Sequence, residues 1–454
     1  MPNDPSTVAT IPNTRLAVLF LVMLVAAAGN TAMQSILPAL GTKLGIGDVW
    51  VSLAFSWSAL LWVLTAPRWA RVSDRRGRKA LMALGLLGFI SSMLFCGLTL
   101  WAGLSGWMSA TATFAFFALF RSLYGGFGSA APPAVQAYVA SRTEAAERTK
   151  ALSLVASSFG LGTVIGPTIA PWFILPIVGL AGPLLVFAAI GAAVLIALRL
   201  MLPDDTPRFE ARGQVSSYPA TGGAPELSSD DEDATQEVGD SDTETSGADS
   251  AQDAARHRVG WLDARLLPWN LAGLIGGHAQ AMMLGVVGFL ILDRLHLRPT
   301  PELATEPTSH VMWVGAIATL LAQWGLIPLF KLQPRTAVVV GSAIGGVGAL
   351  ITGWAHTLPA ISTGFAIALL GFGLFRPGFT AGASLAVPRR LQGAVAGQTA
   401  SINGAAYIIA PAVGVGLYNW HAELTFILIA VISFALSIWG WRGLIIKDAT
   451  APAK

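Results

Sequence analysis

This chain of 454 residues is poor in charge and nearly empty of cysteine, and both shortages narrow what it is. Only 12% of its residues are Asp, Glu, Lys or Arg, about half the share a water-soluble domain usually carries. The one cysteine, Cys96, sits in an apolar run, which excludes an intrachain disulfide and a cysteine-based metal site. Aspartate and glutamate are missing from the middle of every long apolar run, so no buried carboxylate is available there to titrate or to pair with a cationic ligand. No alternating strands of about ten residues are visible, which argues against a transmembrane barrel.

What the chain does have is apolar length. Apolar residues make up 54% of it and the mean hydropathy is +0.63, the composition of an integral membrane protein. Twelve mostly uncharged runs lie near 16–40, 50–69, 80–102, 111–139, 151–177, 180–202, 267–292, 309–330, 336–356, 359–386, 393–417 and 422–446. Each suits a helix crossing a hydrocarbon core about 30 Å thick. The stretch 151–202 exceeds one crossing, and Pro176, Gly179 and Pro183 mark the turn inside it. The first run is long enough to be a crossing rather than a cleaved signal.

The net charge of +3 is spread over short stretches between the runs, not gathered into a basic domain that would hold nucleic acid. Arg15, residues 68–79, 142–150 and 199–265, Lys331, Arg335, Arg389, Arg390 and Arg442 all fall on one side of a twelve-helix arrangement. The other side has only Lys43, Arg294 and Arg298. This asymmetry predicts a multi-pass protein of the cytoplasmic (inner) membrane with both termini in the cytoplasm.

Between the sixth and seventh runs the composition turns acidic and small, as at Asp230, Asp231, Glu232, Asp233, Asp240, Asp242 and Glu244. The stretch reads as a solvated, disordered cytoplasmic linker whose acidity serves solubility rather than metal binding. The expected organisation is a six-helix bundle at 1–202, the linker at 203–262 and a second six-helix bundle at 263–454. An internal repeat supports two halves: Gly126, Phe127, Gly128 and Pro132 match Gly371, Phe372, Gly373 and Pro377, while Gly160 and Pro167 match Gly404 and Pro411. A competing match of Leu119, Phe120 and Arg121 to Leu374, Phe375 and Arg376 needs another offset and reads as coincidence. Repeats of this kind place a transported substrate between the halves near the bilayer midplane.

Three motifs stand out. The densest charge is Asp74-Arg75-Arg76-Gly77-Arg78-Lys79, read as a loop over 70–79. It is either a plain positive-inside loop or a contact surface in which Gly77 permits a tight turn and the Asp74 carboxylate meets the positive end of a helix. Arg121, deep in the fourth run, marks function or serves as a strut bonded to backbone carbonyls. In the fifth run, Gly162 and Gly166 present a flat face for close helix packing, and Pro167 allows a bend.

On these residues the chain resembles major facilitator superfamily transporters and, within them, the twelve-helix drug:proton antiporters. Asp74, Arg75, Gly77, Arg78 and Lys79 match the signature Gly-x-Leu-Ala-Asp-Arg-x-Gly-Arg-Lys/Arg between the second and third helices, with Ala70, Val72 and Ser73 departing from it. Arg121 to Gly125 matches Arg-x-x-x-Gly, and Gly162, Gly166 and Pro167 match the antiporter signature Gly-x-x-x-Gly-Pro. The resemblance implies an all-α membrane protein with twelve transmembrane helices in two pseudo-symmetric six-helix bundles, the major facilitator fold. It implies that residues 74–79 form a conformational latch between the halves. The family's partner carboxylate falls at Ser141, which leaves Glu144 or Glu147 to pair with Arg78. It also implies a central cavity lined by the first, fourth, seventh and tenth helices. Asn30, Gln34, Arg121, His278, Gln280 and Arg376 are the substrate-cavity candidates on those helices. The sugar-porter signature after the sixth helix is faint at 203–208, and the second basic loop at 331–335 is degenerate, which disfavours a sugar importer.

The expected function is secondary active transport: proton-coupled export of small amphipathic compounds by alternating access. The alternative is uptake or exchange of an organic anion, with Arg121 and Arg376 as the clamp. A membrane-embedded enzyme or sensor is the reading from another class, and no nucleotide loop, metal-ligand cluster or nucleophile motif supports it. Among the cavity candidates His278 alone is of a residue type that can change charge near neutral pH, and its two readings are proton coupling or hydrogen-bonded packing. The partners expected are a small-molecule substrate, protons and the lipid bilayer, with a monomeric protein and no cofactor, metal or nucleic acid.

Overall fold

With no water in the hydrocarbon core, each crossing segment must satisfy its own backbone, and a helix does so within one run. The computed structural model describes residues 11–140, 142, 145–203, 260–387 and 392–444, without the side chains of 70, 71, 73–76, 140, 145–150, 152, 153, 156, 392–394 and 396. Most of the acidic linker, 204–259, lies outside these. The first half comprises α1 (Asn13–Lys43), α2 (Asp48–Arg76), α3 (Arg78–Leu104), α4 (Ala110–Phe127), α5 (Ala131–Ala140), α6 (Ala145–Ile169) and α7 (Gly182–Met201). The second comprises α8 (Leu267–Arg294), α9 (Thr305–Leu320), α10 (Ile327–Phe330), α11 (Pro334–Trp354), α12 (Leu358–Leu385), α13 (Gln392–Trp420) and α14 (Ala422–Gly443). Ten helical runs among the described residues are long and apolar enough to cross a membrane. The fourth and fifth expected spans are helical as well, the fourth as α4 continued by α5 and the fifth as α6.

The interruptions fall at prolines and glycines. Pro132 and Pro133 each lack an N–H, and the helix ahead of them tightens into a 3-10 turn at Gly128–Ala130. Ahead of Pro328 the eighth span loosens into a π-helical turn at Leu321–Leu326. The fifth span begins earlier and ends sooner than its expected 151–177, because Pro167 and Pro171 turn the chain into a 3-10 segment at Ala170–Phe173. The basic stretch 70–79 is not a loop as expected: α2 runs through Arg76, α3 starts at Arg78, and Gly77 alone leaves the helix. Its φ of 87° reverses the chain in one residue, a conformation strained for any side chain with a Cβ.

Packing fixes the register of the repeat. A Cβ on Gly85 of α3 would strike Ala131, and one on Gly88 would strike Phe127. In the second half Gly341 of α11 meets Gly371 and Phe375, and Gly345 meets Phe372. These pairings align Gly126-Phe127-Gly128 with Gly371-Phe372-Gly373, so Arg376 corresponds to Ala131 rather than to Arg121. Ten residues of helix, about 15 Å of rise, separate the two arginines' positions in the repeat.

The halves meet along α2 against α13, α6 against α9, and α1 against α8 and α9. Successive helices joined by short links run antiparallel, so Arg78, Lys79, Arg142 and Arg335 share one end, here the basic end. The opposite end carries Asp48 and Arg298. From that end inward, the halves touch at Val49 with Gly416, Pro38 with Gly288, Ser35 with Ser309 and Val63 with Gly404.

Candidate functional site

Two buried arginines lie between the ends, and their surroundings differ. Arg121 is fully buried and donates from Nη2 to Asn30 Oδ1, a bond joining the fourth span to the first. Its guanidinium lies 4.5 Å from the Tyr124 ring centroid and 5.7 Å from that of Phe55, distances at which an aromatic face stabilises a cation. Gln34, one turn beyond Asn30, lines a narrow cavity of about 30 Å³ between the halves with Ser52, Phe55, Thr308, Met312 and Tyr407.

Arg376 is 4% exposed, and none of its Nε, Nη1 and Nη2 atoms has a hydrogen-bond partner among the described residues. The seventh, tenth and eleventh spans converge around it. Gly276 packs on Phe375, the residue before Arg376, and Gly277 packs on Ala406, the residue before Tyr407. Gln280, one turn past Gly276, is 2% exposed with its Nε2 unbonded, and Asn403 on α13 is 5% exposed with its Nδ2 unbonded. Tyr407 lies within electrostatic reach of Arg376. The structure therefore brings Asn30 to Arg121 and packs the helix that carries Gln280 against the one that carries Arg376, but does not assemble the two arginines into one clamp.

His278 departs from expectation. It is half-buried, its Nδ1 donates to the Leu274 carbonyl at 2.7 Å, and Leu271, Leu274 and Ile275 around it are exposed. At about 3.6 residues per turn it points away from Gln280, two positions on, and toward the outside of the bundle. It does not line the cavity.

The glycine motif of the fifth span forms a backbone-to-backbone seam. A Cβ on Gly162 would fall 2.5 Å from Leu24 O, and one on Gly166 would fall 2.1 Å from Ala28 O. Thr31 Oγ1 also reaches the Gly162 carbonyl at 3.4 Å, and Pro167 lies just beyond, inside the last turn of α6. In the basic stretch, Arg78 is buried and Lys79 Nζ donates to the carbonyl of Leu202, where α7 ends. The side chains of Asp74, Arg75 and Glu147 lie outside the described residues, as do Ser141 and Glu144.

Sequence reasoning missed an ion-pair cluster at the other end. Arg298 donates to both carboxylate oxygens of Asp48, at 3.3 and 2.8 Å, and to Asp293, whose Oδ2 also accepts from Tyr418 at 2.7 Å. Asp48 belongs to the first half and the others to the second, so Arg298 ties the halves together. Asp293 first and Asp48 second hold the Arg298 guanidinium pKa above its ordinary value, so the cation persists. Around it Arg294 bonds Glu423 at 3.2 Å and His356 at 3.0 Å, and Lys43 pairs with Glu302 across the halves at 3.5 Å. A pocket of about 540 Å³ opens beside the cluster, lined by Asp48, Asp293, Arg294, His296, Arg298 and His356 among others. The only hint in the sequence was that so few charges stand on this side and that Asp48, Asp293 and Arg298 are among them.

The Major Facilitator Superfamily model matches residues 19–411. The chain belongs to that superfamily. It is 34% identical over 161 residues to multidrug resistance protein 2 of Bacillus subtilis (strain 168), covering 35% of this chain and 36% of that protein. It is 31% identical over 184 residues to a multi-drug resistance efflux pump PmrA homolog of Lactococcus lactis subsp. lactis (strain IL1403), covering 39% and 40%. The chain thus spans well under half the length of these relatives. In fold it is similar to a bacterial homolog of the human lysosomal transporter Spinster in an inward-facing, unoccupied conformation, with TM-score 0.71, 14% identity, and 98% and 100% of the two chains covered. It is a multi-pass membrane protein of that superfamily, similar over part of its length to multidrug resistance proteins.

Proposed function

We propose that this transporter exports small amphipathic compounds from the cytoplasm by alternating access, coupled to protons, and that the structure is its inward-facing state. The observation that carries the cycle is the Arg298 cluster, which bonds the two halves at the charge-poor end. By the positive-inside asymmetry that end is extracytoplasmic, so the closed face looks outward and the cavity is served from the basic side. Residues 74–79 and 331–335 are then the cytoplasmic surfaces that close when Arg298 lets go, with the acidic linker 203–262 as tether between bundles. Export is favoured by the partial identity to multidrug resistance proteins and by the largely apolar lining of the central cavity, Pro38, Val51, Phe55, Leu284 and Met312 among it.

Transport into everted membrane vesicles, with a pH gradient imposed and then collapsed by a protonophore, tests this. Proton-driven accumulation of an amphipathic probe is the expected result. Flux indifferent to the gradient would remove the coupling, and no flux at all would sink the exporter. His278→Ala is expected to transport with coupling intact, because the residue faces away from the cavity. Uptake or exchange of an organic anion remains the second reading, favoured by the unpartnered Arg376.

A further inference from the structure

A buried guanidinium with five N–H donors and no acceptor is a costly arrangement, tolerated where something else supplies the acceptor. Arg376 is in that position. Every acidic side chain among the described residues stands at a helix end or in a loop, as Asp48, Asp263, Asp293, Glu302, Glu306 and Glu423 do, and none pairs with Arg376. On the helices packed around it, Gln280 stands one turn from Gly276, which meets Phe375, and Asn403 one turn from Tyr407; their Nε2 and Nδ2 are unbonded donors, and both side chains are nine-tenths or more buried. Three donor groups from the seventh, tenth and eleventh spans, one of them cationic, make a site that rejects cations and binds an oxyanion. Arg121 makes no second such site, because Asn30 and the Tyr124 ring already hold it.

We infer that Arg376, Gln280 and Asn403 form an anion subsite that takes the carboxylate, or an equivalent oxyanion, of an amphipathic cargo. The planar fork of Arg376 receives the two oxygens in parallel, and the two amides donate from the flanks. The apolar body of the cargo then lies toward the narrow cavity under Gln34 and Phe55, with Tyr407 at the junction. The inference rests on the reading of the chain as an alternating-access transporter whose cargo sits between the halves.

The test uses the full chain in nanodiscs of zwitterionic lipid and three radiolabelled probes with one aromatic body: naphthylacetate, naphthylacetamide and naphthylethylammonium. Equilibrium binding is expected to favour the carboxylate by at least tenfold over both others. Arg376→Gln is expected to erase the preference chiefly by weakening the carboxylate, and Arg376→Lys to retain part of it. Equal affinities in the unmodified protein, absent carboxylate binding, or a preference that survives Arg376→Gln would each overturn the subsite. Displacement of the carboxylate by added phosphatidylglycerol would reassign the site to a lipid headgroup. If Arg376→Gln does not fold, Gln280→Leu carries the test, with a weakened preference expected and an unchanged one against it. A preference without any flux in vesicles would sink the exporter and leave the subsite standing, and flux without a preference would do the reverse.

Discussion

At the scale of single residues, identical chemistry meets different fates within this chain. Arg121 and Arg376 are both buried in apolar spans, yet Arg121 has an amide acceptor and an aromatic face while Arg376 has neither among the described residues. Sequence alone placed both in the cavity because it shows depth in a span and not what the neighbouring helix offers. His278 is the converse. Leu271, Leu274 and Ile275 flank it at helical spacing, and that apolar company already pointed outward. Gly166 gives the sharpest prediction at this scale. A methyl there would lie 2.1 Å from Ala28 O, and that backbone atom cannot swing aside as a side chain would. Gly166→Ala is therefore expected to cost about 1–3 kcal/mol of stability, read as a lower melting temperature in detergent and a matching loss of transport. Gly397→Ala, where a Cβ meets nothing within 4 Å, should leave both unchanged. Equal melting temperatures for the two variants would refute the seam.

Between elements, the two halves solve one packing problem from opposite sides. The fifth span brings its glycines, Gly162 and Gly166, to the first; in the second half the seventh span brings Gly277 to Ala406 and Gly285 to Pro411 of the eleventh. The glycine motif was legible because close packing of this kind requires small residues at fixed helical spacing. The outer ion pair was not legible, because Asp48 and Arg298 stand 250 residues apart and no periodicity links them. On the proposed cycle its role is conformational. Asp48→Asn leaves Arg298 with Asp293 alone and removes the charge that draws the halves together at that end. Loss of one half-exposed ion pair worth about 1 kcal/mol favours the outward-open state by roughly fivefold. A thiol at Ser309→Cys, buried beneath the closed end, should then react about that much faster with an impermeant maleimide applied from outside, in an otherwise silent background since Cys96 is buried. An unchanged labelling rate would show that Arg298 does not hold the gate.

For the whole molecule, composition and charge asymmetry were enough to read the spans, the two halves and the basic end, since the bilayer imposes length and sign on any chain that crosses it. They could not reveal which end is closed, because on the proposed cycle one sequence supports both states. At the Asp48 end the halves touch, and those contacts allow a direct test of the proposed cycle. Ser35 on α1 and Ser309 on α9 approach to 3.5 Å between hydroxyl oxygens, so a small shift brings sulfurs at those positions to the roughly 2 Å of a disulfide bond. With cysteines at both positions, mild oxidation by copper phenanthroline should lock the Asp48 end shut. If that end must open for cargo to leave, vesicle transport falls at least tenfold on oxidation and returns with dithiothreitol. Binding of probe from the basic side should persist throughout, because the cavity beneath the lock is untouched. Full transport by the oxidised protein would mean that the halves do not separate at Ser35 and Ser309, and the alternation would have to turn on some other seam.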